Sequence, residues 1–234
     1  LEGVEDVSVK LVGTAGNLTI SETTPSDDKG HYKFSIPLPA PLSLTVTPMK
    51  NDDPLNGVST YDLVLISKHI LGLEPLSGPY KMIAADANKS GSITTFDIVE
   101  LRKLILGIYT ELPGNTSWRF IDKNYTFPDP FNPFKSAFPE GKALNEPLTT
   151  VWTGNFVSIK VGDVNVSAVT NLNGGNEDRS AETLWMETED RTLSAGEVAE
   201  VTFRAAAPVQ GYQMTLALNG LSVAEVLPLG QVTA

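Results

Sequence analysis

The chain has no cysteine. That absence removes disulfides, thiolate zinc sites and thiol nucleophiles together. Histidine is almost as scarce, at two residues. Neither His31 nor His69 is accompanied by a serine nucleophile or a zinc-ligand set, so both read as structural. No apolar run approaches the roughly 20 residues of a membrane span, and no signal-peptide pattern is present. Basic residues are also short, 17 against 28 acidic ones, for a formal net charge of −11. Such a chain lacks the positive footprint that attracts nucleic acid or an anionic membrane. It suits hard cations, which take carboxylate and carbonyl oxygens. Paired carboxylates flanking a cleft, as glycoside hydrolysis needs, are not suggested by any segment. The expectation is therefore a protein that is not an enzyme.

What is present is turn-rich. Nineteen glycines and sixteen prolines in 234 residues favour short strands and many turns over a helical protein. In residues 1–49, Val7, Val9 and Leu11 alternate with Ser8 and Lys10, the period of a half-buried strand. Further strands are expected around Leu18–Ile20, along Tyr32, Phe34 and Ile36, and along Leu42, Leu44 and Val46. The turn at Asp27-Asp28-Lys29-Gly30 separates the second and third of these. The stretch from GVEDVSVKLVG to LSLTVTP resembles the small transthyretin-like or Ig-like β-domains of bacterial surface proteins. It reads as a partial domain of that kind.

Residues 50–113 hold an internal repeat with a shift of 35. Val58-Ser59-Thr60-Tyr61-Asp62-Leu63-Val64 overlies Ile93-Thr94-Thr95-Phe96-Asp97-Ile98-Val99, and Ile70-Leu71-Gly72 overlies Ile105-Leu106-Gly107. Each copy carries helical apolar spacing, Leu63, Ile66 and Ile70 in one and Ile98, Leu101 and Ile105 in the other. Each ends in a glycine suited to a helix C-terminus. Ahead of the second helix, Asp86, Asn88, Ser90, Thr94 and Asp97 occupy positions 1, 3, 5, 9 and 12 of a loop with Gly91 at position 6. This is EF-hand spacing with Asp in place of Glu at position 12. Ser92, at position 7, offers its backbone carbonyl, and Ile93 points to the core. Calcium needs six to eight such oxygens, and a tight loop supplies them from alternate residues. Pro75 and Pro79 argue against a helix before Asp86, leaving half an EF-hand.

Two loop–helix units ending in Ile-Leu-Gly resemble dockerin modules, and Asp86, Asn88, Ser90 and Asp97 carry the resemblance. It covers about a quarter of the chain. In the first repeat, counting back from Asp62 puts Asn51 at position 1, Asp53 at 3, Gly57 at 7 and Ser59 at 9. Leu55, at position 5, has no side-chain oxygen, so this loop either binds calcium with carbonyls and water or is degenerate. The resemblance implies one or two calcium ions. It also implies a recognition face for a cohesin-like domain at Thr60, Tyr61, Ser67 and Lys68 and at Thr95, Phe96, Arg102 and Lys103.

Residues 114–172 combine five prolines with nine aromatic residues between Trp118 and Phe156, too many rings for a flexible linker. An ordered wrap packed on the helix pair or the first β-domain is expected, with a strand over Phe156–Val161. Asp163-Val164-Asn165-Val166-Ser167 repeats the front half of the calcium loop without an acid at position 12. It reads as a polar loop, with an auxiliary calcium site as the alternative. Residues 173–180 read as a linker to strands at 184–188, 198–203 and 212–218, a segment that resembles the opening of cohesin-like domains.

The expected class is thus mostly β with a small α calcium-binding module. It is multidomain, β-sandwich-like domains flanking two loop–helix repeats, with boundaries at 1–49, 50–113, 114–172 and 173–234. The chain begins and ends in strand-like segments and reads as part of a longer polypeptide. The expected role is a calcium-stabilised structural or adhesive segment of an extracellular or cell-surface bacterial protein. A binding module engaging a cohesin-like domain or neighbouring copies, and an appendage of a carbohydrate-active enzyme, are the alternatives.

Overall fold

The computed structural model describes residues 3–36, 42–145, 152–171, 184–187, 192–205, 220 and 222–225. The chain divides into two compact units, Leu1–Glu177 and Asp178–Ala234. Among the described residues it is β-rich with three α-helices.

In the first unit, β1 (Ser8–Ala15) and β2 (Leu18–Pro25) form a hairpin whose two-residue turn has Gly16 at φ 62°, as such tight turns require. β3 (Leu42–Met49) pairs with the other edge of β1, and later in the chain β5 (Lys142–Leu144) adds to β3. The period-two pattern buries Val9, Leu11, Leu44 and Val46 on one face of this sheet. Tyr32, Phe34 and Ile36 do not form the expected strand. Asp27 Oδ1 accepts from the amides of Lys29 and His31, at 2.9 and 2.7 Å. Both edges of β1 are already taken by β2 and β3. The three side chains pack instead as partly buried groups against the sheet core.

Helix α1 (Thr60–Ile70) and helix α3 (Thr95–Ile105) reproduce the 35-residue repeat at both ends. Gly72 and Gly107 both adopt φ 69°. The following amides, Leu73 and Ile108, each donate back to a lysine carbonyl five residues earlier, Lys68 and Lys103, at 2.9 Å. This is the Schellman closure. Contrary to the expectation from Pro75 and Pro79, a seven-residue helix, α2 (Pro79–Ala85), precedes Asp86. Pro79 lies in its first turn, where the missing N–H has no helical partner to lose.

β4 (Trp118–Asp122) and β6 (Phe156–Lys160) make a two-stranded ribbon, with Trp118 opposite Lys160. Alternation along β4 splits its side chains between two cores. Trp118 and Phe120 join the sheet core with Val9, Leu11 and Leu144. Ile121, with Ile159 and Val161 of the partner strand and its exit, joins the helix core with Ile66, Ile83, Leu101 and Leu104. Only the β6 half of this ribbon was expected from the sequence. The aromatic wrap reaches both cores. Tyr80, Tyr125 and Phe138 surround Phe127 with ring centroids 5.1 to 5.8 Å away, the two tyrosines in the edge-on geometry that ring quadrupoles favour and Phe138 tilted. Trp152 and Phe156 pack on the sheet side. Phe131 stands 84% exposed.

In the second unit, β7 (Leu184–Glu187) pairs antiparallel with β8 (Thr202–Ala205). β8 begins later than the expected strand at 198–203. The expected linker at 173–180 and strand at 212–218 lie outside the described residues.

The ribbon's double burial makes a contrast that denaturant unfolding can measure. Ile121→Ala removes a side chain with no exposure and should cost about 2–5 kcal/mol. Phe131→Ala should stay within about 0.5 kcal/mol of the parent. Equal midpoints for the two variants would contradict the shared-core arrangement.

Candidate metal centre

The second loop is built by the residues that start α3. Thr94 is its N-cap, and the Phe96 amide donates to Thr94 Oγ1 at 3.2 Å. Asp97 reaches back so that its Oδ2 accepts from the Thr94 amide at 2.8 Å, completing a capping box. The other Asp97 oxygen accepts from the Asn88 amide at 3.2 Å. Position 12 is thereby tied to position 3.

Asp86 organises the front of the loop. Its Oδ1 accepts from the Ser90 amide at 2.8 Å and its Oδ2 from the Gly91 amide at 2.9 Å. Gly91 has φ 77°, the left-handed bend that position 6 demands. Asn88 Oδ1 accepts from the Ser90 amide at 3.0 Å, and Ser90 Oγ lies 3.1 Å from Ser92 Oγ and 3.3 Å from the Ser92 carbonyl. The structure thus holds Asp86, Asn88, Ser90, Ser92, Thr94 and Asp97 in one hydrogen-bonded loop.

The electrostatics are those of a site short of positive charge. Asp86 and Asp97 are 1% and 0% exposed. Burial pushes the Asp86 carboxyl above its ordinary range and the Asp97 charge adds to this, while the Gly91 and Ser90 amides and Arg119 oppose it. Arg119 itself is committed to Glu140 at 2.5 Å. Among the described residues, no three His, Cys, Asp or Glu side chains come together as a metal group. The loop instead offers two carboxylates with neutral amide, hydroxyl and carbonyl oxygens. That donor set, without nitrogen or sulfur, fits calcium.

The first repeat is arranged differently from the expectation. Asp62 is buried at 0% exposure and forms the same capping box, its Oδ2 accepting from the Ser59 amide at 2.9 Å and hydroxyl at 2.8 Å. Asn51 and Asp53, counted as positions 1 and 3, are not its partners. Asn51 Oδ1 accepts from the Ser117 amide at 2.8 Å, and Asp53 is exposed with φ 36°. Asp62 Oδ1 accepts instead from the amides of Val164 and Asn165, at 2.9 and 3.2 Å. Gly57 remains beside this cluster, its carbonyl accepting from Ser167 Oγ at 3.1 Å. The signal for this pairing was the Asp-x-Asn-x-Ser shared by 86–90 and 163–167.

Of the expected recognition residues, Thr95, Phe96 and Arg102 are exposed, and Thr60, Tyr61, Ser67, Lys68 and Lys103 are half-buried. Lys68 pairs with Glu74 at 3.0 Å, and Lys103 donates to Tyr109 Oη at 3.0 Å. Comparison with protein-family models, with curated proteins and with solved structures found no match.

Two outcomes follow from this geometry. A Cβ on Gly57 would lie 2.7 Å from the Ala168 backbone and from Asp163 Oδ2, whereas one on Gly72 would meet nothing. Both have positive φ, so Gly72→Ala should cost about 1 kcal/mol. Gly57→Ala should cost that plus roughly 1–3 kcal/mol of overpacking, read from urea midpoints. The second outcome concerns pH. Burial, foremost, raises the carboxyls of both Asp86 and Asp163, so folding favours their protonated forms. Their contribution is full below the ordinary carboxylate range and is lost as pH rises through the raised values. In chelator, the contribution of these two carboxyls to the unfolding temperature should therefore rise as pH falls through their raised values, and Asp86→Asn plus Asp163→Asn should flatten that rise.

Proposed function

We propose that this chain is a non-catalytic, calcium-stabilised structural or adhesive segment of a large secreted or cell-surface bacterial protein. The observation that supports it best is the buried Asp86–Asp97 loop, whose oxygens are arranged at EF-hand spacing at the start of α3. Two carboxylates buried on one short loop repel each other, and main-chain amides offset only part of that cost. A divalent cation at the centre turns the same repulsion into attraction. Its binding energy then becomes folding energy.

The benefit extends beyond the loop. Leu101 and Leu104 of α3 belong to the helix core, which shares the β4–β6 ribbon with the sheet core. Ordering the loop therefore supports packing on both sides of the ribbon. A surface rod outside the cell, where calcium modules work at about 10⁻⁴–10⁻³ M, is a suitable setting. Among the described residues, no helix is long and apolar enough to cross a membrane.

A second reading, a dockerin-type module that engages a cohesin-like domain or a neighbouring copy, is favoured by one observation. Phe96 and Val99 on α3 are 71% and 42% exposed, beside exposed Thr95 and Arg102.

Calorimetric titration of the full chain with calcium, alongside thermal unfolding in EDTA, tests the first reading. Calcium at one hundred times its Kd should stabilise by about 2.7 kcal/mol. For a unit of this size that is a rise of roughly 5–10 °C. Asp86→Ala with Asp97→Ala should abolish binding at this loop. Loss of structure across the whole first unit in EDTA would support the staple. Melting confined to the loop–helix pair would favour the partner-binding reading, and absence of any calcium binding would sink both.

A further inference from the structure

We infer that a second calcium site exists in this protein and that its loop is split, the front half coming from 163–168 and the back half from 57–62, about one hundred residues earlier. The inference rests on the reading of the chain as calcium-binding, but not on the Asp86 loop being occupied.

Residues 163–168 and 57–62 correspond, atom by atom, to the continuous loop. Asp86 Oδ1 and Oδ2 accept from the amides four and five residues on. Asp163 does the same, its Oδ1 accepting from the Ser167 amide at 3.1 Å and its Oδ2 from the Ala168 amide at 2.8 Å. Asp97 accepts from the amide of Asn88, at position 3. Asp62 accepts from the amide of Asn165, the third residue from Asp163. Ser90 Oγ donates to the position-7 carbonyl of Ser92 at 3.3 Å, and Ser167 Oγ donates to the carbonyl of Gly57 at 3.1 Å.

Position 4 is left-handed in both, Lys89 at φ 57° and Val166 at φ 64°. Position 2 faces the core in both, Ala87 at 1% and Val164 at 0% exposure. Six residues from Asp163 to Ala168 and six from Gly57 to Asp62 make up the twelve of a continuous loop. The two halves meet where position 6 should join position 7, and Asn56 and Val169 clamp that junction with reciprocal hydrogen bonds of 2.8 and 2.9 Å.

What points to a ligand is an oxygen left over. Asn165 Oδ1 is shut off from solvent and has no hydrogen-bond partner, a state that buried carbonyl oxygens rarely tolerate. It belongs to the position-3 residue, a metal ligand in an EF-hand loop. The backbone amide of the same residue donates to Asp62 Oδ1 at 3.2 Å, and the carboxylates of Asp62 and Asp163 are 0% and 5% exposed. Asp62 is engaged by amides and the Ser59 hydroxyl and Asp163 by amides alone, and no ion pair joins either to a basic side chain among the described residues. Two buried negative charges, an orphaned carbonyl oxygen, the Ser167 hydroxyl and the Gly57 carbonyl form a hard, all-oxygen set for a divalent cation of calcium's size. The Cβ that Gly57 lacks would press on Asp163 Oδ2 at 2.7 Å, so the glycine keeps the halves in register.

The test is calcium stoichiometry of the full chain by calorimetry, with hydrogen exchange read at 163–168. The parent chain should bind two ions. Asp163→Asn should lose one, its affinity falling by about 100-fold or more. Asp86→Asn should keep the split site and lose the other. Calcium should slow exchange at the Val164, Asn165, Ser167 and Ala168 amides in both the parent and Asp86→Asn. If Asp163→Asn does not fold, the retained ion and the protection at 163–168 in Asp86→Asn decide the matter. One ion that survives Asp163→Asn, with exchange at 163–168 unchanged, overturns the split site and leaves the calcium reading standing. One ion that is lost in Asp163→Asn but survives Asp86→Asn leaves the split site standing and removes the continuous one. No ion at all overturns both.

Discussion

Two carboxylates cannot be buried side by side without something positive placed between or around them. This chain meets that constraint twice, at Asp86 with Asp97 and at Asp163 with Asp62, and much of its first unit is organised by it. Backbone amides are the first response. Each carboxylate collects at least two N–H groups, and those demands fix where the helices begin. Asp62 and Asp97 cap α1 and α3, and both loops take the bends that bring amides onto an aspartate. Amides carry only partial charge, so the arrangement leaves room for a full positive one. The first repeat and the segment after β6 share this logic although they are far apart in sequence.

The β4–β6 ribbon makes these local demands global. One side of β4 serves the sheet and the other serves the helices, so neither core is complete without it. The segment that leaves β6 runs directly through Gly162, whose amide donates to the Ala84 carbonyl at the end of α2 at 2.8 Å. Gly162 has φ 89°, and a Cβ there would lie 2.6 Å from Leu101. Ribbon, α2, α3 and the 163–168 turn therefore pack through one narrow point. A change at any of the four is felt by the others.

Sequence patterns made some of this legible. The 35-residue repeat, with Leu63, Ile66 and Ile70 matched by Ile98, Leu101 and Ile105, placed both helices, because periodicity and glycine ends are local signals. The Asp86–Asp97 loop was equally plain, since all its oxygens lie within twelve consecutive residues. α2 is not legible because Pro75 and Pro79 read locally as helix breakers, although proline in a first turn is compatible with a helix. The strand at Tyr32–Ile36 was over-read. Its alternation is real, but Tyr32, Phe34 and Ile36 use it to pack against the sheet core without joining a ladder. Asn51 and Asp53 fitted the count back from Asp62 by coincidence of spacing. The true neighbours of Asp62 lie 102 and 103 residues away, and a window that slides along contiguous sequence has no way to join them.

The distance between Asp62 and its amide partners also sets a timetable. A ribosome adding about 5–20 residues per second needs on the order of 5–20 s to travel from Asp62 to Val164. During that interval α1 carries a carboxylate that its final environment has not yet arrived to receive. Its Oδ2 finds the Ser59 amide and hydroxyl within the same turn, but its Oδ1 waits for Val164 and Asn165. The Asp62 contacts to Val164 and Asn165 thus need residues near the end of the first unit, and they can form only once nearly all of that unit has been made.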